Sequence, residues 1–318
     1  MPAIHNKSYK RPPQFISSHL ETIYPALFRK VTGLTNPDRE RLTLSDGDFV
    51  DLDWRKQGSK KLVIIQHGLE GSSDRPYILG VAKHFFNHGF DTLAWNYRGC
   101  SGEMNKAVRF YHSGATDDLD EVVQHALPEY SEVFLVGFSL GGNMTLKYVG
   151  EDSRSPKVKG AVAISTPLDL DKGSDNLATP RGKLYEQRFL RSLVKKVKEK
   201  AAIMPEKIDP KPLDQLKTLR QFDDFFTSKL HGFKDATDYY NQCSSKYFLK
   251  GIQIPTLILN ATNDPFLTPE SLDHSLTKDL PMVALETTNH GGHVGFIAKN
   301  KQKVYWSEER ALQFCLSI

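Results

Sequence analysis

The stretch EVFLVGFSLGGNMTLKYVG, residues 132–150, decides the fold. Its first half is an apolar run suited to a strand buried on both faces. Its second half reads as a helix. Between them lies Gly137-Phe138-Ser139-Leu140-Gly141, a G-x-S-x-G pattern. Ordinary residue frequencies give about 0.1 chance matches in a chain this long, so the bare pattern says little. Its setting says more. A strand running straight into the serine and a helix leaving it are what a nucleophile elbow requires. The flanking glycines, with Gly142, let helix and strand approach without an intervening Cβ. The Leu140 amide then opens a helix and is placed to stabilise an oxyanion. The plainer reading of Ser139 is a helix N-cap.

Working outward, the same alternation repeats. KLVIIQ (61–66) reads as a buried strand, PYILGVAKHFFNHG (76–89) as a helix with a glycine stop, and FDTLAWNY (90–97) as a strand. TDDLDEVVQHAL (116–127) is a helix with acids in its first turn, where they suit the helix dipole, and VKGAVAIS (158–165) is a strand. Upstream, ERLTLSD and FVDLDW are short strands around a Gly47 turn. Such alternation predicts an α/β fold, a mostly parallel sheet with helices on both faces. The alternation breaks after Ser165. Residues 166–250 are helical, basic, aromatic-rich and punctuated by prolines, and then two strands, IPTLILNATND and MVALETT, and a closing helix follow. The expected organisation is an N-terminal arm (1–40), a core (41–165 and 251–318) and a helical cap (166–250) over the carboxyl ends of the strands, where open α/β sheets bind ligands.

The chain has 318 residues, 39% hydrophobic and 25% charged, with a net charge of +4. That charge is too small to indicate a nucleic-acid binder. No apolar run reaches the length of a membrane span, and the start, MPAIHNKSYKRPPQF, lacks the apolar core of a secretory signal, so a cytoplasmic location is expected. Three sparse cysteines, Cys100, Cys243 and Cys315, fit reduced thiols better than a disulfide framework or a structural zinc site.

A serine hydroxyl needs a base and an orienting acid, and in this fold they follow it as Asp or Glu, then His. Asp264 stands just past the strand IPTLILNATN. Three histidines come later: His274, in a probable helix, and His290 and His293, which share the glycine-rich loop NHGGHVGF. Spacing alone does not separate the last two. The second oxyanion donor belongs to the loop His67-Gly68-Leu69-Glu70-Gly71, with the Leu69 amide as candidate. His67 precedes Ser139 and is expected to hold that loop through hydrogen bonds. The H-x4-D spacing of His112 and Asp117 carries little information, and a metal site from Asp264, His290 and His293 would compete with their other roles.

Together, HGLEGSSDRPY, NYRGCSG, YHSGATDDL, GFSLGGN, FDDFFTSKLHGFKDATDYY, NATNDPF and NHGGHVGF resemble family 4 of the AB hydrolase superfamily, which holds bacterial YheT-like hydrolases and eukaryotic abhydrolase-domain lipases. The segment SHLETIYP (18–25) is similar to the family's opening. The resemblance spans nearly the whole chain, with the motifs in order. It implies the α/β-hydrolase fold, a carboxylester or acylglycerol hydrolase with a helical cap, and His293 as the base.

The expected chemistry is ester hydrolysis by Ser139, His293 and Asp264, with the Leu69 and Leu140 amides as the oxyanion hole and neither cofactor nor metal. The expected partner is a small-molecule or lipid ester. Acyl transfer with the same triad, and a non-catalytic ligand-binding role on the same scaffold, are the alternatives. Cap aromatics such as Phe225 and Phe226 are candidates for an acyl pocket. In residues 183–200, apolar positions recur at helical spacing and seven cations face two acids. Such a helix could make weak peripheral contact with an anionic membrane surface, though solvated charge runs are the commoner case.

Overall fold

The computed structural model describes residues 4–6, 8–151 and 154–318. Its centre is a nine-stranded sheet in the order β1-β9-β8-β7-β6-β4-β5-β3-β2. The strands are β1 (Ile4–His5), β2 (Asp38–Thr43), β3 (Phe49–Arg55), β4 (Lys61–Gln66), β5 (Asp91–Asn96), β6 (Glu132–Phe138), β7 (Val158–Ile164), β8 (Thr256–Ala261) and β9 (Val283–Thr288). All neighbours pair in parallel except β2–β3 and β3–β5. The fold is that of an α/β hydrolase.

The alternation in the sequence and the layering have one cause. Strands β5, β8 and β9 are buried at every position, as parallel strands covered on both faces must be. One face packs under α3 (Thr116–Ala126) and α4 (Leu140–Gly150), the other under α2 (Pro76–Phe86) and α10 (Trp306–Leu316). The N-terminal arm is more structured than its composition suggests. It forms α1 (Ser18–Phe28), started by the Ser17 hydroxyl, which accepts from the Leu20 amide. Arg29, just past α1, pairs with Glu308 of α10 at 2.5 Å and stacks on Tyr305. The sequence around His274 forms two short 3-10 turns (Pro269–Leu272 and His274–Leu276) rather than the expected helix.

Between β7 and β8 the chain is helical: α5 (Leu170–Ala178), α6 (Lys183–Ile203), α7 (Leu219–Phe222), a π-helical turn (Asp223–Thr227), α8 (Ser228–His231) and α9 (Ala236–Cys243). Leu190, Leu193 and Val197 of α6 bury into a separate apolar cluster with Phe222 and Phe226. The basic face expected of residues 183–200 is reduced. Lys196 is partly buried against Glu70 at 2.7 Å, and Lys200 is fully buried, donating to Asn105 Oδ1 and to the Asn105 and Ala107 carbonyls. Lys183, Lys195 and Lys198 pair with Glu186, Glu199 and Asp214. Long stems have packed inward and delivered two ammonium groups to fixed acceptors, whereas Arg188, Arg191, Lys195 and Lys198 stay exposed. Among the described residues, no helix is long and apolar enough to cross a membrane.

One buried ion cluster ties the sheet edge to the helices. Arg98, just past β5, is wholly buried and meets Asp48 of the β2–β3 hairpin at 2.8 Å and Asp118 of α3 at 2.7 Å. Removing one partner of a buried pair leaves uncompensated charge and typically costs about 3–5 kcal/mol. Arg98→Met is therefore expected to lower the urea-unfolding free energy by about that much. A loss below about 1 kcal/mol would mean water reaches the two carboxylates.

Candidate active site

Ser139 sits between β6 and α4 with φ 53° and ψ −116°, a left-handed backbone that a serine rarely adopts. Its glycine neighbours are required by close approach. A Cβ on Gly137 would lie 2.3 Å from the Gly141 carbonyl oxygen, and one on Gly141 would lie 2.6 Å from the His67 carbonyl oxygen. The Ser139 amide donates to the Ile164 carbonyl at 2.9 Å, locking the turn to the end of β7. Leu140 begins α4, so its amide lies in the first turn, whose N–H groups have no partner within the helix.

Asp264 follows β8, and His293 lies in the loop after β9. The His293 Nδ1 meets Asp264 Oδ2 at 2.9 Å, with Asp264 buried and the imidazole largely so. The other carboxylate oxygen, Oδ1, accepts from the Phe266 amide at 2.8 Å. Phe266 in turn stacks on the imidazole, with ring centres 3.8 Å apart. The Val294 amide donates to the Ser165 hydroxyl at 2.9 Å, so the serine turn and the histidine loop are tethered to consecutive residues, Ile164 and Ser165. His290 is in the same loop, but its Nδ1 meets no partner among the described residues. His274 turns away to bond Thr287 at 3.0 Å. Geometry thus separates the two loop histidines that spacing left equal.

His67 is fully buried, and burial lowers its pKa to about 3, leaving it neutral. Its Nδ1 bonds the Gly68 carbonyl oxygen, its Nε2 accepts from the Tyr97 amide, and its own carbonyl accepts from the Tyr97 hydroxyl. Past Gly68, the loop faces the cavity and α6. Leu69 lines the cavity, and Glu70 (φ 53°) accepts from Lys196, Ser192 and Tyr111. Burial alone would raise the Glu70 carboxyl, but Lys196 and the hydroxyls outweigh it and hold it below the usual range. This anchor was missed in the sequence, because nothing in HGLEG shows that its acid turns inward. The His112–Asp117 spacing joins nothing: Asp117 pairs with Arg109, and His112 packs edge-on to His231.

Ser139 opens onto a cleft of two adjoining lobes, each spanning about 650 Å³ of space that includes open solvent. Ser139, Pro167, Phe189 and Phe266 line one lobe, and Leu193, Phe222, Phe226 and Leu230 line the other. Leu69, Leu140, Leu219, Asp223 and Tyr239 border both. Phe226 is buried there, whereas Phe225 is 51% exposed and lies outside the wall, contrary to its candidacy.

A family profile described as alpha/beta hydrolase fold matches residues 61–299. The chain belongs to the alpha/beta hydrolase family. It is 38% identical to the putative esterase YheT of Escherichia coli over 298 residues, 89% of this hydrolase and 85% of that protein. It is 30% identical to the mouse phospholipase ABHD3 over 270 residues, 81% of this chain and 66% of the relative. It is 29% identical to the monoacylglycerol lipase of Saccharomyces cerevisiae over 260 residues, covering 79% and 58%. Among solved structures, the Pyrococcus furiosus esterase Pf2001 superposes with a TM-score of 0.60 at 19% identity, covering 91% of this hydrolase and 96% of that chain, a likeness of fold.

Asp223 offers a test of the cavity's polarity. Its carboxylate accepts from Thr227 at 2.6 Å and Tyr240 at 2.7 Å, yet burial pushes its pKa up to about 6. A folded-state value above the unfolded one means that stability is full at low pH and is lost as pH rises toward 6. Asp223→Asn is therefore expected to gain on wild type between pH 4 and 7, by about 1–3 kcal/mol in all. Urea unfolding across that range reads the difference, and a flat difference would mean the carboxyl titrates as it does in water.

Proposed function

We propose that this hydrolase cleaves carboxylic esters, with short- to medium-chain acyl esters or acylglycerols as substrates, through an acyl-enzyme on Ser139. Asp264 fixes the orientation and tautomer of His293, whose Nε2 takes the Ser139 proton as Oγ attacks the acyl carbonyl. The Leu69 and Leu140 amides receive the oxyanion. His293 then returns the proton to the leaving alcohol, and a water activated by the same base releases the acid. The observation that carries this reading is the contact of the buried Asp264 with His293, whose loop is tethered beside the strained Ser139 turn. The names of the relatives, an esterase, a phospholipase and a lipase, point to the same ester chemistry. The helices between β7 and β8 act as a cap, and the lobe lined by Phe222 and Phe226 takes the acyl chain.

Ser139→Ala and His293→Ala are each expected to lose nearly all turnover of p-nitrophenyl esters and all labelling by a fluorophosphonate, because such residues act as a unit. His290→Ala should stay active. An active His293→Ala beside an inactive His290→Ala would reverse the assignment of the base.

Phe226→Ala should shift the preferred acyl length in a graded ester series while sparing the shortest ester, and Phe225→Ala should leave the preference unchanged. Equal losses on all esters for Phe226→Ala would mean that it acts only on stability.

A further inference from the structure

The segment SHLETIYP stands apart from the residues of the proposed chemistry in the sequence, but not in space. It forms the first turns of α1, and α1 lies against the loop that carries His293. A Cβ on Gly292 would lie 2.8 Å from the Cβ of Glu21, and one on Gly295 would lie 2.2 Å from the Glu21 carbonyl oxygen. No side chain fits between helix and loop there.

That loop is strained. Gly291, Gly292, Val294 and Phe296 all have positive φ, at 145°, 57°, 61° and 39°. For the β-branched Val294 and the bulky Phe296 this region is costly, and it persists only where the surroundings over-determine the chain. The surroundings are specific. Four consecutive amides donate to side chains outside the loop: Gly291 to Glu21 Oε1 at 3.2 Å, Gly292 to Asn263 Oδ1 at 3.1 Å, His293 to Thr22 Oγ1 at 2.9 Å and Val294 to Ser165 Oγ at 2.9 Å. Two of the four acceptors come from α1. The third depends on α1 as well. Asn263 Nδ2 donates to Glu21 Oε2, which turns the amide so that its oxygen faces Gly292.

We propose that Glu21 and Thr22 are positioning residues, which hold the His293 loop in its strained form and so keep the imidazole aligned with Asp264 and Ser139. This rests on the reading of His293 as the base. Glu21 is fully buried, and both of its oxygens accept. A glutamine has one acceptor, so its NH2 would confront either the Gly291 amide or the Asn263 amide. Thr22 accepts from His293 while its own hydrogen goes to the Ser18 carbonyl, so valine keeps the shape and loses both bonds. The same helix reaches the helical segment over the site: His19 Nδ1 lies 2.8 Å from the Tyr185 hydroxyl, and the Tyr185 ring packs on Phe266, which stacks on His293. The N-terminal helix is thus part of the site's framework.

The experiment uses the full chain and a short p-nitrophenyl ester, with competent sites counted by organophosphate titration. Glu21→Gln and Thr22→Val should lower kcat per titrated site by about tenfold to a hundredfold, the cost of misplacing a reacting group, while KM stays within about twofold. Thr22→Ser, which restores the acceptor, should recover kcat to within about threefold of wild type. Wild-type kcat per site in Glu21→Gln and Thr22→Val would overturn the proposal, as would a Thr22→Val loss that Thr22→Ser does not repair. Should Glu21→Gln fail to fold, the Thr22 pair decides. His293→Ala, assayed alongside, separates the two readings. If it stays active, the assignment of the base has failed. If it is inactive while Glu21→Gln and Thr22→Val run at full rate, only the brace has failed.

Discussion

The structure depends on the turn at Ser139, where the chain passes from strand to helix in a single left-handed residue. Strand β6 lies mid-sheet and α4 packs back across it, so the two backbones nearly touch. Gly137 and Gly141 make that contact sterically allowed, and the Ser139 bond to Ile164 holds it in register. Such strain survives because the surrounding sheet is buried on both faces and cannot relax around one residue. The serine is thereby fixed at the carboxyl end of the sheet, where the loops after β4, β8 and β9 converge.

Those loops are each held by a different device. The loop after β4 is pinned from inside by neutral His67 and from above by Glu70, whose pairing with Lys196 links it to α6. The loop after β8 turns on Asp264, with both oxygens engaged. The loop after β9 has an internal bond from the Phe296 amide to the Gly291 carbonyl and is otherwise braced by Glu21, Thr22, Asn263 and Ser165. Buried polar groups therefore set the positions around the serine, while the apolar sheet sets only their common platform. The carboxylates of Glu21, Glu70 and Asp264 are each engaged, and leaving such a buried group unpaired would be costly.

The platform was legible in the sequence because its signals are local. KLVIIQ, EVFLVGF and VKGAVAIS are mainly apolar and run into His67-Gly68, Ser139 and Ser165, and each forms a parallel strand. The anchors were not legible, because their partners are distant in the chain. Glu21 meets Gly291, and Glu70 meets Lys196. The cations of residues 183–200 read as a solvated stripe, since periodicity cannot tell which lysine will fold its stem inward. Spacing left His290 and His293 equal. The resemblance pointed to His293, and the contact with Asp264 is a property of the folded loop. The arm looked irregular because Pro25 sits inside α1, and the helix is held chiefly by tertiary contacts.

The central claim is that Ser139, His293 and two backbone amides form one reacting centre. The most direct measurement is a crystal structure of the phosphonylated protein, whose tetrahedral phosphorus stands in for the acyl carbon during attack. The account predicts a bond from Ser139 Oγ to phosphorus. It also predicts the phosphonyl oxygen within about 3 Å of both the Leu69 and Leu140 amides, and His293 Nε2 hydrogen-bonded to Ser139 Oγ or to an alkoxy oxygen. A phosphonyl group on another residue, or an oxygen turned away from both amides, would contradict it.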